Sequence, residues 1–236
     1  MTAERRAVIN QSGIAVVIPA LNEGRSIGHT LGEVPPGIDQ LIVVDNGSDD
    51  DTAAVARARG AIVVHEPRIG YGAACQAGIR YATGDLIAFM DADYSDYPAD
   101  LKKVIAPVAA GRADLAIGVR TRQPGESPVL PPHQRFGNWL VCRVIAVLYG
   151  RVYADLGPMR CIRREALARM RMVDRDYGWT VEMQLKAARM GLRVVEVPVR
   201  HRKRIGQSKI SGTVRGSVGA ACKMFYWILR LAMWKP

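Results

Sequence analysis

Asp91 and Asp93 stand one residue apart at the end of the apolar run Leu86-Ile87-Ala88-Phe89-Met90. The run is short and shows no alternation, as in a central parallel strand covered on both faces. In open α/β sheets, ligands bind beyond the carboxyl ends of the strands. Two carboxylates delivered there suit a hard divalent cation, Mg²⁺ or Mn²⁺, with positions left for phosphate oxygens. A solvated acidic turn before Pro98 has the same look, so the rest of the chain must decide.

Further polar groups follow other apolar runs. Ile14-Ala15-Val16-Val17-Ile18 reads as a strand stopped by Pro19, and Ala20-Leu21-Asn22-Glu23-Gly24 leads from it into an amphipathic helix. Leu41-Ile42-Val43-Val44 runs into Asp45-Asn46-Gly47-Ser48-Asp49, where Asn-Gly makes a turn. Ser48 or Asp49 then caps a helix around Thr52 to Arg59. Ala61-Ile62-Val63-Val64 precedes Arg68-Ile69-Gly70-Tyr71-Gly72, which brings a cation and two glycines to a helix start, an arrangement suited to a phosphate or sugar. Strands and helices alternating in this way predict a doubly wound, nucleotide-binding half. If the strands are neighbours, Asp45 and Asp49 would meet a base or ribose and Asp91 and Asp93 a metal. Turn and cap chemistry is the competing account of the first pair.

The second half adds cations. Leu101 to Ala110 reads as a helix and Ala113 to Gly118 as a strand, with Arg120 at its end facing the same rim. Residues 123 to 132 carry four prolines and read as a loop able to serve as a lid. Gln134 to Tyr149 is a strongly apolar helix with Arg135 at its start, whose surplus apolar surface suits core packing or a lipid. Asp155-Leu156-Gly157-Pro158-Met159-Arg160 leads into a helix from Arg164 to Met170, and Tyr177 to Met183, with Glu182, opens another. Arg200-His201-Arg202-Lys203-Arg204-Ile205-Gly206-Gln207-Ser208-Lys209 packs five cations into ten residues. Such charges repel unless an anion separates them, the alternative being a solvated loop.

Composition bounds the class. The chain has 236 residues, 49% of them hydrophobic, enough to bury the core of one ordinary α/β domain. Lys+Arg 33 against Asp+Glu 22 gives +11, with the basic excess toward the C-terminal half. That suits phosphates or an anionic membrane surface. Nucleic acid is not expected, because aromatics are only 6% and no nucleic-acid module is recognisable. Cys75, Cys142, Cys161 and Cys222 are scattered, so neither a zinc site nor a disulfide framework is expected. The first residues, Met-Thr-Ala-Glu-Arg-Arg, lack the apolar segment of a signal peptide, so export is not expected. From Thr213 to Pro236, basic and apolar residues separate on a helical wheel with Trp227 and Trp234 near the end. This reads as a helix lying in a membrane interface, with packing on the domain or in a homodimer as the competing account.

The motifs Pro19-Ala20-Leu21-Asn22-Glu23, Val44-Asp45-Asn46-Gly47-Ser48-x-Asp50-x-Thr52, Gly70-x-Gly72-x-Ala74 and Asp91-Ala92-Asp93 occur in the order seen in inverting family-2 glycosyltransferases, which the chain resembles. The later segments resemble dolichol-phosphate mannose synthase and other polyprenyl-phosphate glycosyltransferases, so the likeness spans about residues 14 to 212. It implies a single nucleotide-diphospho-sugar transferase domain of GT-A type, α/β with a mixed, mainly parallel sheet. In it, residues 14–98 form the nucleotide-sugar half and 99–212 the acceptor half of a catalytic domain spanning 1–212. The donor, a GDP- or UDP-hexose, would be lined by Pro19, Ala20, Asn22, Glu23, Asp45, Asn46, Asp49, Arg68, Gly72, Asp91 and Ala92, with Mg²⁺ or Mn²⁺ at Asp91 and Asp93. Arg120, Arg135, Arg160, Lys203 and Arg204 would hold a polyprenyl phosphate. The enzyme would be cytoplasmic, peripheral at the inner face of the cell membrane through residues 213–236. Ser95 stands where relatives often carry glutamine, and Lys203 where arginine is usual. An already ionised lipid phosphate needs no general base, whereas a hydroxyl acceptor would need one, with Glu182 the first candidate. A non-catalytic nucleotide-sugar binding module is the alternative from another class.

Overall fold

The computed structural model describes residues 13–121, 132–206, 223 and 225–230. The proline-rich stretch expected as a lid lies outside the described residues except for Pro132, as does most of the tail.

One seven-stranded sheet organises the chain. Its strands are β1 (Ile14–Ala20), β2 (Gln40–Asp45), β3 (Ile62–His65), β4 (Leu86–Phe89), β5 (Leu115–Thr121), β6 (Arg160–Arg163) and β7 (Val194–Arg200), in the order β3-β2-β1-β4-β6-β5-β7. β6 runs antiparallel to β4 and β5, and the remaining neighbours are parallel. The fold is therefore the mixed, mainly parallel α/β sheet that the resemblance implies. The apolar runs are continuous because both faces are covered. Val16, Ile18, Leu86 and Ala88 pack on one side with helices α1 (Gly24–Gly32), α2 (Thr52–Ala58) and α4 (Leu101–Ala109). Val17, Ile87 and Phe89 pack on the other with α3 (Tyr71–Tyr81), α5 (Pro132–Tyr149), α6 (Arg164–Met170) and α7 (Trp179–Arg189).

β6 is a strand that local reading misses. Four residues with arginine at both ends carry no strand periodicity; hydrogen bonding to β4 and β5 makes them a strand. In the tail, Trp227 and Ile228 are buried, and the Tyr149 hydroxyl donates to the Ile228 carbonyl at 2.7 Å. This part of the tail packs on the domain while Phe225, Tyr226 and Leu229 stay exposed. Among the described residues no helix is long and apolar enough to cross a membrane.

Candidate active site

The loops beyond the carboxyl ends of β1 and β2 are stitched together by side chains. The Asn22 amide N–H donates to Ser48 Oγ at 2.9 Å, and Asn22 Oδ1 accepts from the Asp49 N–H at 2.7 Å. Asn22 holds φ +52 in doing so, a left-handed conformation that asparagine tolerates better than most residues. The Glu23 N–H donates to Thr52 Oγ1 at 2.8 Å, and Asp45 Oδ1 accepts from the Ser48 N–H at 3.0 Å. Pro19 and Ala20 lie in β1 beside Val44 and Asp45. The N-cap of α2 is Asp51, without a side-chain capping bond, and neither Ser48 nor Asp49 caps the helix; Asp50 Oδ1 accepts the Thr52 N–H at 3.0 Å. Asn46 spends its side chain on the next loop, donating to the Glu66 and Arg68 carbonyls at 2.9 and 2.8 Å and accepting from the Gly70 N–H at 2.8 Å.

Beyond β4, the stretch from Asp93 to Asp96 meets the segment that follows β7. The Ile205 N–H donates to the Asp93 carbonyl at 3.0 Å, the Arg202 N–H to that of Ser95 at 2.8 Å, and Asp96 and His201 form an isolated bridge. Arg204 reaches Asp93 Oδ2 at 3.1 Å and Glu23 Oε1 at 2.8 Å, tying three rim segments with one guanidinium. Arg202 lies over the Tyr94 ring at 3.2 Å and the Tyr97 ring at 4.2 Å, and pairs with Glu33 at 2.9 Å. That clamp fixes the backbone on which Arg204 and Asp93 sit.

The electrostatics are those of crowded carboxylates. Burial, then the charges of Asp93 and Asp96, push the Asp91 carboxyl well above the ordinary range, while Tyr71 donates to Asp91 Oδ1 at 3.2 Å. Burial and the Asp93 charge raise Asp96 to about 7, and its Oδ1 is buried with no hydrogen-bond partner. His201 Nδ1 is likewise buried and unpartnered, and burial with the nearby Arg120 charge lowers that imidazole to about 4. Among the described residues no three His, Cys, Asp or Glu side chains form a group able to hold a metal by themselves. Asp91 and Asp93 nonetheless fit a divalent ion whose remaining ligands are phosphate oxygens, because a cation would relieve the repulsion among buried carboxylates.

Arg120 joins the rim from β5. Its guanidinium makes a two-point pair with Asp155, Nε to Oδ2 at 2.8 Å and NH2 to Oδ1 at 2.6 Å. Burial alone would raise Asp155, but the Arg120 guanidinium outweighs it and holds the carboxyl below its usual value. Lys203 and Arg135 stand exposed, the latter near the start of α5.

Three residues have other surroundings. Arg160 is 1% exposed and donates to the Gly157 and Thr180 carbonyls and to Gln184 Oε1, at 2.8, 2.7 and 3.2 Å. Glu182 is fully buried, paired with Lys186 at 2.6 Å, and accepts the Val173 and Asp174 N–H groups at 3.0 and 2.8 Å. Gly72 lies under residues 174 and 175, where a Cβ would stand 2.9 Å from the Arg175 Cα, so its spacing has a packing cause. Conversely, Asp96, His201, Tyr71 and Asp155 enter the site although the sequence does not single out their roles. Asp96 follows the Asp91-Ala92-Asp93 motif and His201 lies in the basic segment, but only the bridge between them shows that they meet.

The comparisons agree with this architecture. Residues 15–171 match the family described as Glycosyl transferase family 2. A glycosyltransferase of Mycobacterium tuberculosis whose role is uncharacterized is 42% identical over 206 residues, 87% of this chain and 93% of that protein. The undecaprenyl-phosphate mannosyltransferase of Micrococcus luteus is 31% identical over 222 residues, 86% of this chain and 89% of its own. Among solved structures, the M. tuberculosis glucosyl-3-phosphoglycerate synthase in complex with Mn²⁺, UDP-glucose and phosphoglyceric acid superposes with a TM-score of 0.77 at 24% identity, covering 95% of this chain and 81% of that one. With a family match over more than half its length and carboxylates at the end of the expected strand, the chain belongs to glycosyltransferase family 2.

Proposed function

We propose that the chain moves a hexose, mannose or glucose, from a GDP- or UDP-sugar to a polyprenyl phosphate, with inversion at the anomeric carbon and with Mg²⁺ or Mn²⁺ as cofactor. The observation that carries this reading is the rim where Arg204 pairs with Asp93 and the charge of Arg120, itself paired with Asp155, acts on Asp91 and Asp96. Carboxylates for a cation and guanidiniums for phosphates come from four separate segments of the chain. The name of the M. luteus relative supports a lipid-phosphate acceptor, and the Mn²⁺ and UDP-glucose of the solved synthase support the donor and metal.

The metal would be held by Asp91 and Asp93 and would supply charge neutralisation on the leaving diphosphate. The chain's own groups do the rest. Asn22, Glu23, Asp45 and Asp49 form the donor wall, and Arg204, released from Asp93 and Glu23, turns to the diphosphate. Arg120, Arg135 and Lys203 orient the acceptor phosphate. One of its oxygens attacks the anomeric carbon, forming a carbon–oxygen bond as the bond to the diphosphate breaks, and the nucleoside diphosphate leaves with that electron pair. Orientation supplies much of the rate, and no proton needs to be removed. A hydroxyl acceptor would need a base, and Glu182 is already committed to Lys186 and two amides. Residues 213–236 would bring the enzyme to the membrane surface.

The test is incubation with Mn²⁺, a panel of UDP- and GDP-sugars and a short polyprenyl phosphate, following sugar into the organic phase. Transfer is expected, and Asp93→Asn should reduce it by about 100-fold or more, the scale of losing one transition-state charge contact. Nucleotide release with no lipid product would overturn the acceptor assignment.

A further inference from the structure

Three segments line an open cavity of about 330 Å³: the loop after β3, the loop before α7, and the tail helix. Its lining includes four cations, Arg68, Arg175, Lys223 and Arg230. Asp174 is the lone acid in that lining, and its carboxylate is spent. Its Oδ1 accepts the Asp176 and Gly178 N–H groups at 2.7 and 3.1 Å, while Oδ2 takes Trp227 Nε1 and lies 3.4 Å from Lys223 Nζ. Arg230 donates to the Tyr226 hydroxyl at 2.7 Å and sits 5.1 Å from the Trp227 ring centroid. Among the described residues no carboxylate pairs with the side chains of Arg68 or Arg175. With Lys223 offset by Asp174, the Arg68, Arg175 and Arg230 charges around one small volume call for an anion.

Exposed apolar side chains on the lining segments, Val173 in the lining itself, say what kind of anion. Ile69 is 71% exposed, Val173 50% and Leu229 67%, and they come from the same three segments as the cations. A free phosphate would have no use for these side chains, whereas a lipid places apolar chains directly behind its phosphate. The volume is at the small end for ligand pockets, suited to a headgroup.

We infer that this cavity binds the phosphate of an anionic membrane lipid, with Ile69, Val173 and Leu229 entering the acyl boundary. The inference rests on the membrane part of the proposed function and adds the site. The cavity wall is tied to the reaction rim, because the Ala73 N–H donates to the Arg175 carbonyl at 2.9 Å and Tyr71, two residues earlier, touches Asp91. A lipid held here would set the rim's orientation to the bilayer.

The test is vesicle co-sedimentation of the full chain, using phosphatidylcholine alone or mixed with phosphatidylglycerol, with the double variant Arg175→Ala/Arg230→Ala. Both positions are exposed, so the fold tolerates the changes. The wild type should bind only the mixed vesicles, and the variant about thirtyfold more weakly, the effect of two basic residues at an anionic surface. Transfer to a short polyprenyl phosphate in solution should be unchanged in the variant. Equal vesicle binding by variant and wild type would overturn the site while leaving membrane association standing. A wild type that ignores both vesicles would overturn the membrane reading itself. Inorganic phosphate binding to the wild type but not the variant, without vesicle binding, would overturn the lipid in favour of a soluble phosphate.

Discussion

At the scale of single residues, burial and existing bonds sort the charged side chains. Arg204 is partly open and Asp93 is buried at the rim, and both are held by ion pairs that a phosphate or a cation can replace. Glu182 and Lys186 are 0% and 3% exposed and form a closed pair that also anchors the backbone at Val173 and Asp174. Removing one charge of such a pair leaves the other buried alone. Glu182→Gln should therefore cost about 3–5 kcal/mol of stability in urea unfolding, with kcat of the folded fraction near wild type. A large loss of kcat at unchanged stability would instead make Glu182 part of the chemistry.

Whole elements explain why the glycines stand where they do. The first turn of α3 passes so close to residues 174 and 175 that only a hydrogen fits at Gly72. Gly72→Ala should destabilise by about 1–3 kcal/mol in chemical denaturation, through overpacking against backbone that cannot shift cheaply. Gly137, in α5, has nothing within 4 Å of a built Cβ, so Gly137→Ala should be neutral or stabilise by about 0.5–1 kcal/mol. The pair of variants separates close approach from glycine content. The same closeness couples α3 to the 173–178 loop, and so the Tyr71–Asp91 contact to the tail through Asp174 and Trp227.

For the molecule as a whole, the hydrophobic core lies on both faces of the sheet and, among the described residues, is built from apolar side chains away from the rim carboxylates. Chelation should abolish transfer while leaving the thermal midpoint nearly unchanged, since only the rim carboxylates lose a partner. Added Mn²⁺ or Mg²⁺ should restore activity. A collapse of the fold on chelation would mean that the metal serves structure instead. The charge of +11 makes any contact with an anionic surface sensitive to salt.

The strands β1, β2 and β4 and the acidic groups behind them were legible from the chain itself, because a buried parallel strand must be apolar throughout and must end where polar residues begin. Ordered motifs were enough for the family as well. β6 was not legible, since its pairing comes from strands about 45 to 75 residues earlier in the chain. Nor could sequence separate the arginines. Arg120, Arg160 and Arg204 look alike on paper, yet one pairs with Asp155, one is sealed in the interior and one spans Glu23 and Asp93. Residue type and local spacing determine which side chains could hold a charge. Which charges meet, and which remain open to a ligand, is set by segments brought together over more than a hundred residues of chain, and only the tertiary structure decides that.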